Sequence, residues 1–131
     1  MTPDAIAAVR KTAELASADD RFAPSFYRHL FAAHPSTRSL FSASMEEQER
    51  KFSAQLGAIM HSLDDFSAFS TEARALGAKH VEHGVLPSHY AAVRDALIEA
   101  LGDVLGGLDE ETDAAWRAAI DLLAEEMQAT S

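Results

Sequence analysis

Leu76-Gly77-Ala78-Lys79-His80-Val81-Glu82-His83-Gly84-Val85, followed closely by Pro87 and Tyr90, is the stretch on which the reading of this 131-residue chain turns. Leu76 and His80 are four residues apart, so on a helix they share one face. Gly84 is the usual residue just past a helix end. The stretch therefore predicts a helix from about Thr71 to His83 that carries one imidazole among apolar neighbours. A neutral imidazole is a good metal ligand. A lone histidine on an apolar face is also, commonly, a buried structural residue held by hydrogen bonds. The stretch alone leaves both readings open.

Working outward, every strong signal is helical. Thr2-Pro3-Asp4 reads as a cap, a first-turn proline and an early acid, opening a helix with Ile6, Val9, Ala13 and Leu15 inward and an end near Ala18. Asp19-Asp20 would cap a second helix that buries Phe22, Phe26, Tyr27, Leu30 and Phe31. His34-Pro35 ends it, because a residue before proline is pushed out of helical angles. A turn-like piece from Ser36 to Leu40 leads to Phe41. Ser42-Ala43-Ser44 would cap a third helix from about Met45 to Ser62, whose apolar positions recur at three and four. Asp64-Asp65 opens a linker containing Phe66 and Phe69, which could cover the core or make a dimer contact. Pro87 would start a further helix with Tyr90, Val93, Leu97 and Leu101 on one stripe, broken at Gly106-Gly107. Asp109 begins the last helix, with Trp116, Ile120, Leu123 and Met127 inward. No period-2 alternation marks a strand.

Composition excludes several classes. The chain has 47% hydrophobic residues, enough to close a core, and its length favours one domain over residues 1–131. With 21 acids against 11 bases the formal charge is −10, which argues against nucleic acid or an anionic membrane as partner. There is no cysteine, so disulfides, zinc thiolates and iron–sulfur clusters are out. The absence also fits a reducing compartment. No signal peptide is visible and no apolar run reaches the length of a membrane span, so the expected location is cytoplasmic. There is no glycine-rich phosphate loop.

In order and spacing, Phe26-Tyr27-x-x-Leu30-Phe31-x-x-x-Pro35, Phe41, Lys79-His80, Pro87-x-x-Tyr90 and Ala115-Trp116 resemble the single-domain bacterial haemoglobins and the haem domain of flavohaemoglobins. The resemblance covers nearly the whole chain. It implies an all-α globin fold of six to eight helices around a pocket for haem b (iron protoporphyrin IX), with His80 as the proximal iron ligand. It implies Tyr27 and Gln48 on the distal side, where a buried phenol can donate to bound dioxygen. From the residues alone, Tyr27 is equally a core tyrosine, and Gln48 a surface residue in the polar run Glu46 to Lys51. Phe52, four residues after Gln48, is bulky for its place and is expected to crowd the distal pocket. Phe41 would wedge against the porphyrin. Leu76 would stack beneath it, and Val81, Val85, Tyr90, Val93 and Leu97 would complete an apolar cage. Lys79 either pairs with a haem propionate or is solvated. His83 reads as a solvated or haem-edge residue. Tyr90 matches a tyrosine that helps orient the proximal histidine.

The acidic partner of that histidine in flavohaemoglobins would fall at about Ser131, where no carboxylate stands, and Glu125 and Glu126 are expected to face solvent. The chain shows no reductase. The implied function is reversible binding of diatomic gases (O2, NO, CO), for storage or delivery, or nitric oxide dioxygenation with a separate reductase. The alternatives are a gas sensor acting through a partner protein and a haem-free globin-like fold. Whether the chain is a monomer or a homodimer stays open.

Overall fold

The computed structural model describes residues 1–41 and 44–129. Among them it shows six α-helices and no strand: α1 (Pro3–Ser17), α2 (Phe22–Ala33), α3 (Met45–His61), α4 (Phe66–Glu82), α5 (His89–Leu105) and α6 (Glu110–Gln128). Two 3₁₀ segments, Pro35–Leu40 and Ser62–Asp64, join α2 to α3 and α3 to α4.

Local chemistry sets most boundaries. Thr2 caps α1 by accepting the Ala5 N–H at 3.1 Å, ahead of Pro3. Asp109 caps α6 by accepting the Thr112 N–H at 2.7 Å, which holds its carboxyl below the usual range. Asp65 caps α4 by accepting the Ala68 N–H at 3.2 Å. Such caps each stabilise a helix by about 1 kcal/mol.

The cap at Asp65 corrects one sequence expectation. The segment from Asp64 to Ser70 is not a linker, because the helix begins at Phe66. Phe69 is consequently fully buried, while Phe66 stays 56% exposed. Three other expectations are corrected in the same way. Asp19 does not cap α2: its carboxylate takes the Arg21 backbone N–H and guanidinium, and α2 starts without a side-chain cap. α5 starts at His89, two residues after Pro87. Leu15 faces solvent, and Ala16 takes the inward position. Of the expected cap on α3, Ser44 holds the capping position but makes no side-chain bond, and Ser42 and Ala43 lie outside the described residues.

α2 lies along α5, α1 packs on α3 and α6, and α4 packs on α6. Phe22, Phe69 and Trp116 are fully enclosed, and a fully buried large apolar side chain stabilises the fold by about 1.5–3 kcal/mol. Trp116 satisfies its indole by donating to Thr12 Oγ1 at 2.7 Å, which ties α6 to α1. By contrast, α3 and α4 touch each other little, although only a short turn separates them in sequence. The space they leave is the cavity described below.

α4 approaches α6 so closely at Gly77 that a Cβ there would sit 1.9 Å from the Met127 carbonyl oxygen. Gly102, on α5, has nothing within 4 Å of the same position. Alanine is favoured over glycine in a helix by about 1 kcal/mol, so Gly102→Ala is expected to raise stability by up to that amount. Gly77→Ala is expected to lower it by about 1–3 kcal/mol through overpacking. Urea unfolding midpoints check both, and equal effects would show that the α4–α6 approach is looser than described.

Candidate ligand-binding cavity

Between α3 and α4, and closed by α2, α5 and α6, lies a cavity of about 410 Å³. α4 and α5 contribute Leu76, His80, Tyr90, Val93 and Leu97, with Val85 from the corner between them. α2 and α3 contribute Phe26, Tyr27, Leu30, Gln48 and Phe52, with Phe41 from the intervening segment. α6 closes the deep end with Ile120, Leu123 and Met127. The structure thus brings together the histidine, tyrosine and glutamine that stand 21 to 53 residues apart in the chain.

His80 has a defined tautomer. Its Nδ1 lies 2.8 Å from the Leu76 carbonyl oxygen one turn earlier. A carbonyl only accepts, so Nδ1 carries the proton and Nε2 keeps its lone pair. Burial lowers the imidazole pKa, opposed by the Leu76 bond and reinforced by His83. The side chain is thus a neutral nitrogen donor, half-buried in an apolar wall. Among the described residues no three His, Cys, Asp or Glu side chains converge as a metal site. His80 can therefore supply one ligand to a metal whose other ligands arrive with it.

On the α2 side of the cavity, Tyr27 is buried to 4% exposure. Gln48 Nε2–H donates to the Tyr27 hydroxyl oxygen at 3.0 Å, which leaves the phenolic hydrogen free of that bond. Burial pushes the phenol up to about 12, partly countered by Gln48. The ring is fixed by aromatic neighbours: Phe41 lies edge-on at 5.3 Å and Phe52 at 5.5 Å. Phe52 itself stacks on Phe26, with centroids 4.2 Å apart and planes 9° apart. Its bulk thus goes into an aromatic layer beneath α2 as well as into the cavity wall.

Three expectations need correction. Lys79, read as either a propionate partner or solvated, does not line the cavity. It is exposed one residue before His80, about 100° around the helix, and borders a smaller hollow with Gln55 and Glu72. Val81 is 64% exposed for the same rotational reason and is no part of the cage. Tyr90 lines the cavity, but the hydrogen-bond partner of His80 is the Leu76 carbonyl rather than Tyr90. Glu126 does not face solvent: its carboxylate accepts from Ser70 and meets Arg74 at 3.6 Å. Ser131 lies outside the described residues. Sequence reasoning also missed Lys51 and His89 in the cavity wall. Lys51 was findable, since it stands one turn from Gln48 on α3. His89 was not, because its position follows from the turn at Leu86, whose N–H its Nδ1 accepts at 2.9 Å.

Comparison with known proteins gives the class. The Globin family model matches residues 24–127, and the chain belongs to that family. An uncharacterized globin-like protein of Aquifex aeolicus is 33% identical over 98 residues, covering 75% of this chain and 70% of its own. A flavohemoprotein of Deinococcus radiodurans is 32% identical over 132 residues, covering 97% of this chain and 33% of its own. The chain therefore spans about a third of that relative's length. Among solved structures, an engineered carbene transferase derived from a putative nitric oxide dioxygenase of Rhodothermus marinus superposes with TM-score 0.86 at 30% identity, over 99% of this chain and 92% of that one. A bacterial globin from Campylobacter jejuni superposes with TM-score 0.83 at 20% identity, over 98% and 97%. The globin fold anticipated from the sequence is the fold observed.

Because the Tyr27 phenol is held above its ordinary value of 10, the folded chain keeps that proton longer than the unfolded chain does. Stability is then expected to fall as pH rises from 10 toward 12, by up to about 2–3 kcal/mol. Tyr90 is also raised by burial, so the difference between wild type and Tyr27→Phe isolates Tyr27. Urea midpoints at pH 9 and pH 11 should converge in the variant. Equal pH dependence in both proteins would mean that Tyr27 is not buried as described.

Proposed function

We propose that this chain acts as one globin domain that holds haem b in the cavity through His80 and binds dioxygen reversibly beneath Tyr27. The observation that carries this reading is that a neutral, tautomer-fixed imidazole and a buried phenol line one largely apolar cavity of about 410 Å³. The donor set fits the group: one nitrogen lone pair for the iron, and aromatic and aliphatic walls for the macrocycle. Haem would supply an iron that His80 would hold through Nε2 and that could bind a diatomic gas.

The chain's own residues do the rest. The Leu76 carbonyl holds the His80 ring so that Nε2 keeps its lone pair. Gln48 occupies the Tyr27 oxygen as donor, so the phenol offers its hydrogen to an electronegative gas ligand and not to a neighbour. At neutral pH the phenol stays protonated, since its pKa stands near 12. Leu97, Val93 and Leu76 keep water from the metal side of the cavity.

Hemin added to the apoprotein is expected to give a Soret band that His80→Ala loses or strongly shifts. A chain that stays colourless would end the reading. Tyr27→Phe removes one hydrogen bond to a partly charged ligand, worth about 1.5–3 kcal/mol. The dioxygen dissociation rate should therefore rise about 10- to 100-fold, and an unchanged rate would show that Tyr27 does not hold the gas.

A second reading, nitric oxide dioxygenation with electrons from a separate reductase, is favoured by the flavohemoprotein relatives and the Rhodothermus marinus neighbour. It requires nitric oxide consumption above autoxidation when a flavin reductase and nicotinamide are supplied. No such turnover removes it.

A further inference from the structure

α4 carries His80, but its place in the molecule is set by α6. It packs on α6 and touches α3 little, so the wall that holds the histidine is supported from one side. Three residues of α4 meet the last turn of α6: Ser70, Arg74 and Gly77. Their spacing of four and three puts them on one face of the helix. His80 follows Gly77 by about one turn.

Two contacts of different kinds are made on that face. Glu126, its side chain 12% exposed, accepts from the Ser70 hydroxyl, and the same carboxylate oxygen lies 3.6 Å from Arg74 Nε. A largely buried carboxylate that takes a hydrogen bond and a cation holds its partners more firmly than an exposed ion pair does. One residue on, the Met127 carbonyl stands where a side chain at Gly77 would begin. A Cβ there would lie 1.9 Å from the oxygen, 2.6 Å from the carbonyl carbon and 2.8 Å from the Cα. All three are backbone atoms, so no rotamer change relieves the contact. The helices themselves would have to separate, by about 1 Å. The Met127 carbonyl is also among the last four of α6, which find no partner inside their own helix.

Gly77 is half of the peptide unit on which His80 relies. The oxygen that accepts from His80 Nδ1 belongs to the Leu76–Gly77 peptide. That bond forms within α4 and fixes the tautomer wherever the helix stands. Where the peptide stands in the cavity is a separate matter, and the contact of Gly77 with Met127 decides it. Leu76 and Met127 both line the cavity, so the seat and the wall are continuous.

We propose that Gly77 and Glu126 are positioning residues for His80: the last turn of α6 seats the Leu76–Gly77 peptide and thereby sets how closely Nε2 meets the metal. Neither is among the described residues that line the cavity, so both act through α4. The proposal rests on the haem reading, and its failure is distinguishable from failure of that reading. A contact that only packed the core would change stability and leave the bond to the metal alone.

The test reconstitutes wild type, Gly77→Ala, Glu126→Ala, Glu126→Gln and Val9→Ala with hemin and reduces them. Resonance Raman then reads the iron–histidine stretching band, and urea midpoints read stability. Val9→Ala truncates a fully buried side chain on α1 and is the control for lost stability alone. Gly77→Ala and Glu126→Ala are expected to move the band by more than its half-width, or to split it. Glu126→Gln keeps an acceptor for Ser70 and should stay with wild type, as should Val9→Ala despite its lower midpoint. A band unmoved in both Gly77→Ala and Glu126→Ala, or moved equally in Val9→Ala, overturns the positioning role. If Gly77→Ala does not fold, Glu126→Ala, which removes side-chain contacts only, decides alone. Wild type that gives no Soret band with hemin overturns the haem reading itself, and the positioning role with it.

Discussion

The hydrogen bond from His80 Nδ1 to the Leu76 carbonyl is the interaction on which the site depends. It is local, made within one helix, and needs no second element. Its consequence reaches further, because it decides which ring nitrogen has a lone pair to offer. Burial adds to this by lowering the imidazole pKa, so the side chain is a base at neutral pH and not a cation. An imidazole without such an acceptor would exchange tautomers, and its free nitrogen would be donor as often as acceptor.

The second constraint is that α3 and α4 do not collapse on each other. Elsewhere the helices are drawn together by close approaches, as at Gly77 against Met127 and at Trp116 against Thr12. Phe52 of α3 instead stacks on Phe22 and Phe26 of α2, and the volume between α3 and α4 stays open. Tyr27 is wedged against these rings. A phenol enclosed by rings on several sides has few rotamers available, so Gln48 needs to supply only one hydrogen bond to set the position of its oxygen.

Much of this was legible in the chain. The apolar spacing located the helices, and His34-Pro35 and Gly84 marked two of their ends. Gly84 adopts a φ of +83° just after α4, a conformation that favours glycine. The failures have physical causes. Phe66 and Phe69 look alike in sequence, yet Asp65 starts a helix whose rotation buries one and exposes the other. Lys79 and Val81 flank His80, but adjacent helical positions point about 100° apart, so nearness in sequence misplaced both. Glu126 appeared solvated because its partners, Ser70 and Arg74, lie more than 50 residues away. The contribution of His89 rests on a turn conformation that no periodicity announces.

A histidine bonded to a carboxylate gains electron density as the pair polarises toward imidazolate, and so donates more strongly to a metal. His80 is bonded instead to a neutral amide carbonyl. Glu126, the carboxylate on α6 nearest the cavity residue Met127 in sequence, is held by Ser70 and Arg74. In the proposed haem complex His80 would therefore donate as a neutral imidazole, while the Tyr27 side would be polar for so apolar a space, with a phenol and an amide acting as one unit. In that reading, a neutral donor to the metal together with a hydrogen-bond donor to the gas would retard loss of the gas without driving electrons onto it. That balance is the physical reason to rank reversible binding ahead of turnover for these residues.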